Sequence, residues 1–144
     1  MVVMKKLLIM LAALTLICVT GCKKENKKVD YKTAIVGEWH CAPADMDADI
    51  YVEFEKEGTF ALYQQVGEGR YRKYTGSWIC EGNVLSGTYT DGTPWGSTYQ
   101  MAFEADTMTL TALNGSEEVM TYVKQSIPDE VLADCIEVKS GGAL

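Results

Sequence analysis

Short stretches of alternating apolar and polar residues, separated by turn residues about every ten positions, run through most of the chain. In Ile50, Val52 and Phe54 the apolar side chains recur at every second position, which is the period of a strand with one buried face. Asn114-Gly115 lies between two such stretches and is typical of a tight hairpin. The pattern predicts eight strands, at residues 36–41, 50–55, 59–66, 71–80, 84–90, 97–104, 107–113 and 118–125.

The connections between these strands are short, and none of them has the pattern of a crossover helix. Consecutive strands joined by short turns pair antiparallel. Eight such strands remove their exposed edges by closing into an up-and-down barrel. We therefore predict an all-β, eight-stranded antiparallel barrel, with a two-sheet sandwich as the alternative.

The end of the chain has a helical pattern instead. Ser126 can cap a helix, Pro128 suits its first turn and Asp129 supplies the acidic residue of a capping box. Three apolar residues follow at helical spacing: Val131, Leu132 and Cys135. The sequence therefore predicts a short C-terminal α-helix of about three turns, and a barrel domain that spans residues 33–144.

Residues 1–21 differ from the rest in composition. Lys5 and Lys6 precede an apolar run of 13 residues, which is too short to span a bilayer but suits a signal peptide. The run ends in Val19-Thr20-Gly21-Cys22, which resembles the bacterial lipobox. The resemblance implies cleavage before Cys22, acylation of its thiol and attachment to a membrane outside the cytoplasm. A plain cleaved signal peptide and an uncleaved anchor are the alternatives.

Charge is distributed unevenly along the chain. Residues 23–28 contain four Lys and one Glu, whereas from residue 33 onward six Lys and Arg stand against 18 Asp and Glu, a net charge of −12. Residues 22–32 are therefore expected to form a lipidated basic tether, which either contacts anionic headgroups or acts as a solvated linker. The acidic domain excludes nucleic acid as a partner, because such binding needs a basic face. We expect a monomer.

Gly37-Glu38-Trp39 lies on the first strand of the predicted meander. This motif resembles that of the lipocalin, or calycin, group, and the chain looks most like small lipocalin-like lipoproteins of the Bacteroidetes type. Three further segments support the resemblance over residues 33–125: Gly58-Thr59-Phe60, Gly76-Ser77-Trp78 and Gly82-Asn83-Val84-Leu85. The resemblance implies that Trp39 packs across the closed end of the barrel while Gly37 lets the chain pass close by.

Two further expectations depend on this resemblance. Larger lipocalins carry a long first loop as a lid, whereas the corresponding connection here spans only residues 42–49. Surface-exported lipoproteins of Bacteroidetes tend to have acidic residues soon after the lipidated cysteine. Lys23-Lys24 departs from that tendency, which places the anchor at the periplasmic face of the outer membrane.

Aromatic residues give the main indication of binding. The candidate ligand contacts are four residues with an inward parity and one loop residue: Tyr89, Tyr99, Met101, Phe103 and Trp95. They indicate either a packed core or an aromatic-lined pocket. Two functions stay open: a binding module for a small apolar or amphipathic ligand, and a packed barrel that is an interaction or structural component of the cell envelope.

Catalytic and metal sites are not indicated, and we predict neither enzyme activity nor a cofactor. His40 should point outward as an ordinary surface residue, while Cys41 faces the opposite side of the strand. Asp45, Asp47 and Asp49 have the spacing of a calcium loop without its Gly and bidentate Glu. They are expected to form a solvated acidic loop, with a weak Ca²⁺ site as the alternative.

Three cysteines remain after Cys18 leaves with the signal peptide and Cys22 is acylated. In an oxidising compartment one disulfide and one free thiol are the simplest arrangement. The up-and-down topology places Cys80 and the start of the C-terminal helix at the same end. We therefore expect Cys80 to pair with Cys135 and to pin the helix across the closed end, with Cys41 reduced.

Overall fold

Eight antiparallel strands follow one another close to the predicted positions. The computed structural model describes residues 28–139, so the predicted signal peptide, Cys22 and most of the predicted tether lie outside the described residues. The strands are β1 Gly37–Cys41, β2 Ala48–Phe54, β3 Thr59–Val66, β4 Arg72–Glu81, β5 Val84–Tyr89, β6 Tyr99–Glu104, β7 Thr107–Ala112 and β8 Val119–Lys124. The prediction of eight strands at these places is confirmed.

The strands close into a barrel. Each strand pairs with the next along the chain, and β8 returns to pair with β1 through Trp39–Lys124 and His40–Val123. Closure gives both edge strands a hydrogen-bonded neighbour, which is the physical advantage of a barrel over an open sheet. The structure therefore confirms the barrel and excludes the sandwich.

Inward-facing side chains fill the lower part of the barrel, the end that Trp39 closes. Fully buried members of this core come from strands all around the wall, and the largest of them are Trp39, Phe60, Leu85, Met101 and Met108. In each strand they alternate with outward residues, as the period-two pattern requires. The apolar alternation in the sequence is therefore the origin of the core.

A short helix that the sequence pattern did not predict covers the closed end. Helix α1 spans Tyr31–Ala34, and the Asp30 carboxylate accepts a hydrogen bond from the backbone N–H of Thr33. Ile35 follows and is completely buried, where its carbonyl accepts a 2.8 Å hydrogen bond from Trp39 Nε1. Residues 31 and 32, assigned to the tether, therefore belong to the folded domain.

The C-terminal segment differs from the prediction. Helix α2 spans only Asp129–Ala133, and its N-cap residue is Pro128, without a side-chain capping bond. A two-residue strand, β9 Ile136–Glu137, then pairs parallel with β4. The predicted short C-terminal helix is confirmed. Its expected three turns and its cap at Ser126 are wrong, because the chain pairs with β4 from Ile136 onward. No helix within residues 28–139 is long and apolar enough to cross a membrane.

This segment packs on the outside of the barrel wall. Ile127 and Val131 form a second small core with the outward-facing Tyr51, Ala61 and Tyr63. Leu132, expected on the buried face, is 44% exposed. The helix therefore lies against the wall formed by β2 and β3 and does not cross the closed end.

This position contradicts the expected disulfide. In the described part of the chain Cys41, Cys80 and Cys135 are all free thiols. Ile136 pairs with Arg72, which precedes Cys80 by eight residues on β4. At the usual strand rise of roughly 3.3 Å per residue, Arg72 and Cys80 are about 26 Å apart. A disulfide needs Cα atoms no more than about 7 Å apart, so Cys135 cannot reach Cys80.

Candidate functional site: a cavity at the open end of the barrel

A cavity of about 200 Å³ occupies the upper part of the barrel, above the packed core. Loop residues on its boundary come from the β5–β6 and β7–β8 connections, which lie at the end opposite α1. Its walls are mainly aliphatic and aromatic. The lining residues are Ile50, Val52, Phe54, Leu62, Gln64, Tyr89, Trp95, Gly96, Ser97, Tyr99, Leu110, Asn114, Glu118, Met120 and Tyr122.

The seam between β5 and β6 is where the barrel wall is least complete. These strands pair only at Val84–Gln100 and Leu85–Tyr99, and above that point they separate. The β5–β6 loop folds back against β5, where Trp95 N–H donates to the Gly87 carbonyl at 2.9 Å. The loop thus replaces the missing strand contacts.

Trp95 lies in this seam and faces the cavity. Its ring centroid is 5.1 Å from that of Phe60 and 6.2 Å from that of Tyr99, both with edge contacts. Close approach is possible because Gly87 has no side chain, since a Cβ there would lie 2.2 Å from Trp95 Cε2. A glycine on β5 therefore creates the space for the aromatic wall of the cavity.

The five predicted ligand contacts separate into two groups. Tyr89, Trp95 and Tyr99 line the cavity. Met101 is 1% exposed in the packed core, and Phe103 lies at the closed end, with its ring 5.9 Å from that of Trp39. All four strand residues face inward as parity predicted. Of the five candidates, however, only Tyr89, Tyr99 and the loop residue Trp95 border open space.

Five polar lining residues were not among the predicted contacts: Gln64, Ser97, Asn114, Glu118 and Tyr122. Gln64 and Tyr122 follow the inward parity of β3 and β8, so alternation alone would have found them. Glu118 lies in the loop before β8 and is exposed at the mouth. No local pattern distinguishes its carboxylate from the many other acidic residues of the chain.

Burial favours the protonated form of two phenols in the cavity, Tyr99 and Tyr122. Burial raises the pKa of Tyr122, with smaller contributions from Cys41 and Tyr99. Burial also raises the pKa of Tyr99, and the negative charge of Glu118 contributes less to the same increase. The site therefore presents neutral hydroxyl groups inside and a carboxylate at its entrance.

Cys41 is buried inside the barrel and is poorly suited to nucleophilic chemistry. Burial raises the pKa of its thiol to about 11, which leaves little of the reactive thiolate near neutral pH. His40 faces the outside, so the two do not pair on one face. The arrangement of these neighbours offers no activated nucleophile.

His40 differs from the expected isolated surface residue. Its Nε2 atom lies 2.5 Å from Asp49 Oδ1, and its ring is 4.5 Å from that of Tyr51. The Tyr71 hydroxyl donates to the other carboxylate oxygen of Asp49. This network stabilises the outer wall near the C-terminal segment.

The three aspartates of the acidic loop, Asp45, Asp47 and Asp49, do not form the calcium site that their spacing allowed. Asp49 belongs to β2, and its two carboxylate oxygens are bound by His40 and Tyr71. It therefore does not join Asp45 and Asp47 as a ligand for a metal ion. Within residues 28–139 no group of three or more His, Cys, Asp or Glu side chains is arranged to hold a metal ion.

Replacing Gly87 with alanine is expected to displace Trp95 from the seam. The new methyl group would overlap the indole, so we expect a loss of about 1–3 kcal/mol in the free energy of unfolding and easier quenching of tryptophan fluorescence by acrylamide. Gly96→Ala is the control, because a Cβ there meets no atom within 4 Å. Equal quenching in the two variants would contradict this role of Gly87.

Comparisons with known proteins find a family model and similar solved structures. A family model described as a lipocalin-like domain matches residues 25–110. The NMR structure of a protein from Bacteroides uniformis ATCC 8492 is similar, with a TM-score of 0.52 and 13% identity over 67% of this chain and 93% of that chain. A crystal structure of the lipoprotein YedD from Klebsiella pneumoniae gives a TM-score of 0.45 and 16% identity over 69% of this chain and 80% of that chain. No curated protein matches the sequence.

Proposed function

The chain belongs to the lipocalin-like domain family, and from this premise we propose that its barrel is a non-catalytic binding module for a small apolar or amphipathic ligand. The observation that carries the proposal is the cavity of about 200 Å³ above the core. Apolar walls with a few polar groups are typical of small-molecule sites.

The dimensions of the cavity limit the ligand. An apolar cavity of about 150 Å³ is known to take up benzene, so a space of 200 Å³ suits a ring with a short side chain, about nine or ten non-hydrogen atoms in all. A long acyl chain exceeds this volume. The walls supply aliphatic contacts from Ile50, Val52 and Leu110 and aromatic contacts from Trp95 and Tyr99.

Attachment to a membrane outside the cytoplasm is part of the same proposal. It rests on Cys22 at the end of the lipobox-like segment and on the family resemblance to small lipoproteins. The basic residues 23–28 would lie next to the headgroups, at the periplasmic face of the outer membrane, while the acidic barrel stands away from them. A monomeric barrel on such a tether presents its cavity to the surrounding aqueous space.

Calorimetric titration of the full-length protein in neutral detergent with 2-phenylethanol tests the binding function. We expect one binding site per chain. Met120→Trp should weaken binding at least about tenfold, because Met120 lines the cavity and the larger ring would fill it. Val119→Trp is the matched control, since Val119 is 57% exposed on the opposite face of β8.

The binding function would be contradicted if 2-phenylethanol did not bind. It would also be contradicted if Val119→Trp and Met120→Trp changed the binding affinity equally. The alternative would then be a packed barrel that acts as an interaction or structural component of the envelope. Its surface would be the outer face of β7 and β8, where the exposed Val119 and Val123 lie beside the outward threonines of β7.

A further inference from the structure

We propose that the ligand is a small organic cation: a protonated amine carried on an apolar or aromatic body, with Glu118 as its counter-ion. This inference rests on the proposed binding function and specifies its ligand class. It draws on three properties of the cavity, namely the sign of its charge, the chemistry of its walls and the absence of a competing cation on them.

The charge at the cavity is negative. Among the described residues that line it, Glu118 is the only one with a charged side chain. The described part of the chain has two ion pairs, His40–Asp49 and Arg70–Asp134, and neither involves Glu118. Its carboxylate is thus available to a ligand at the mouth of the cavity.

The backbone of Glu118 is held in place by the hairpin that carries it. Its carbonyl accepts a hydrogen bond of 2.8 Å from Ala112 N–H, and its own N–H donates to Ser116 Oγ at 3.3 Å. The negative charge of Glu118 also contributes to the raised pKa values of Tyr99 and Tyr122. Its field therefore extends into the cavity and opposes the entry of a second negative charge.

The walls beneath the carboxylate are aromatic. Five aromatic rings border the cavity: those of Phe54, Tyr89, Trp95, Tyr99 and Tyr122. The faces of aromatic rings attract cations through their quadrupole, and tryptophan and tyrosine do so most strongly. An ammonium group at the mouth would pair with the Glu118 carboxylate, while its apolar body fills the aromatic-lined space below.

Among the described residues, no basic side chain lines the cavity. Lys124 lies at the closed end, where its Nζ donates to the Val36 carbonyl at 3.2 Å and lies 4.9 Å from the centre of the Trp39 ring. Arg72, the cross-strand partner of Gln64, lines the adjoining groove beside Ile136, which shares Gln64 with the cavity. A carboxylate ligand in the cavity would thus meet Glu118 without a compensating cation, which costs free energy.

Three probes with the same ring separate the possibilities: 2-phenylethylammonium, 2-phenylethanol and phenylacetate. Each is titrated calorimetrically into the full-length protein in neutral detergent at low ionic strength. We expect the ammonium ion to bind about five- to tenfold more tightly than the alcohol, and phenylacetate to bind most weakly. Raising the salt concentration should reduce the ammonium preference, because salt screens an exposed carboxylate.

Two variants identify the carboxylate responsible. In Glu118→Gln the ratio of ammonium to alcohol affinity should fall to about one. Glu117→Gln is the matched control, because Glu117 is the adjacent acidic residue and does not line the cavity; it should keep the preference. A preference that survives Glu118→Gln would overturn the role of Glu118.

The outcomes distinguish this inference from the proposed function. Equal affinity for all three probes, or tightest binding of phenylacetate, would overturn the organic cation and leave a binding module in place. Failure of all three probes to bind would contradict the binding module itself. A preference for the ammonium ion that is lost in Glu118→Gln and kept in Glu117→Gln supports both.

Discussion

Replacing Gly76 with alanine is expected to destabilise the barrel by at least about 3 kcal/mol. Gly76 lies on β4 and pairs with Phe60 on one side and Tyr89 on the other. A Cβ at this position would lie 2.0 Å from the Thr88 carbonyl oxygen and 2.8 Å from Phe60 Cε1. The carbonyl belongs to the β4–β5 ladder, so it cannot move away without loss of strand pairing.

The free energy of unfolding, from urea titrations followed by tryptophan fluorescence, measures this effect. Gly96→Ala is the control, because its Cβ would meet open space and its backbone is not in the left-handed region. That variant should stay within about 1 kcal/mol of the parent protein. Similar losses in the two variants would show that Gly76 is not required for close packing. Because Phe60 contacts Trp95, Gly76→Ala should also disturb the cavity wall.

The second large effect is expected for Trp39→Ala, which should cost about 3–5 kcal/mol. The Trp39 side chain is 1% exposed and joins three parts of the closed end. Its Nε1–H donates to the Ile35 carbonyl, its ring contacts Phe103, and the Lys124 ammonium lies over its face. Removal would leave a cavity between α1, β6 and β8 and a buried carbonyl without its donor.

Trp39→Phe and Lys124→Met separate these contributions. The phenylalanine variant keeps much of the apolar contact but loses the hydrogen bond, so it should cost less than Trp39→Ala. Lys124→Met removes the cation and should cost about 1 kcal/mol. If Trp39→Ala cost no more than Lys124→Met in urea titrations, the ring would not be the main element that closes the barrel.

The strands were predictable because alternation is a local property. Ile50, Val52 and Phe54 show it directly, and the barrel places all three inside. The short elements were not predictable. Helix α1 has only four residues and β9 only two, lengths at which contacts elsewhere in the barrel, and not local preference, stabilise a conformation.

The same distinction applies to the candidate site. Parity placed Tyr89, Tyr99, Met101 and Phe103 inside the barrel, and all four belong to the main core or pack against it. Parity carries no information about depth, so it could not separate the two side chains that border the cavity from the two below it. The inward position of Trp95 depends on the absence of a side chain at Gly87, a contact between a loop and a strand.

The amino-acid pattern by itself determined the eight barrel strands, their inward faces and their antiparallel order, because alternation and short turns act between neighbouring residues. Tertiary structure alone decided three other properties: the path of the C-terminal segment along the wall, which keeps Cys135 from Cys80, the depth at which packing stops and the cavity begins, and the single carboxylate at its mouth. Each of these depends on distances between residues far apart in sequence, which only the closed barrel sets.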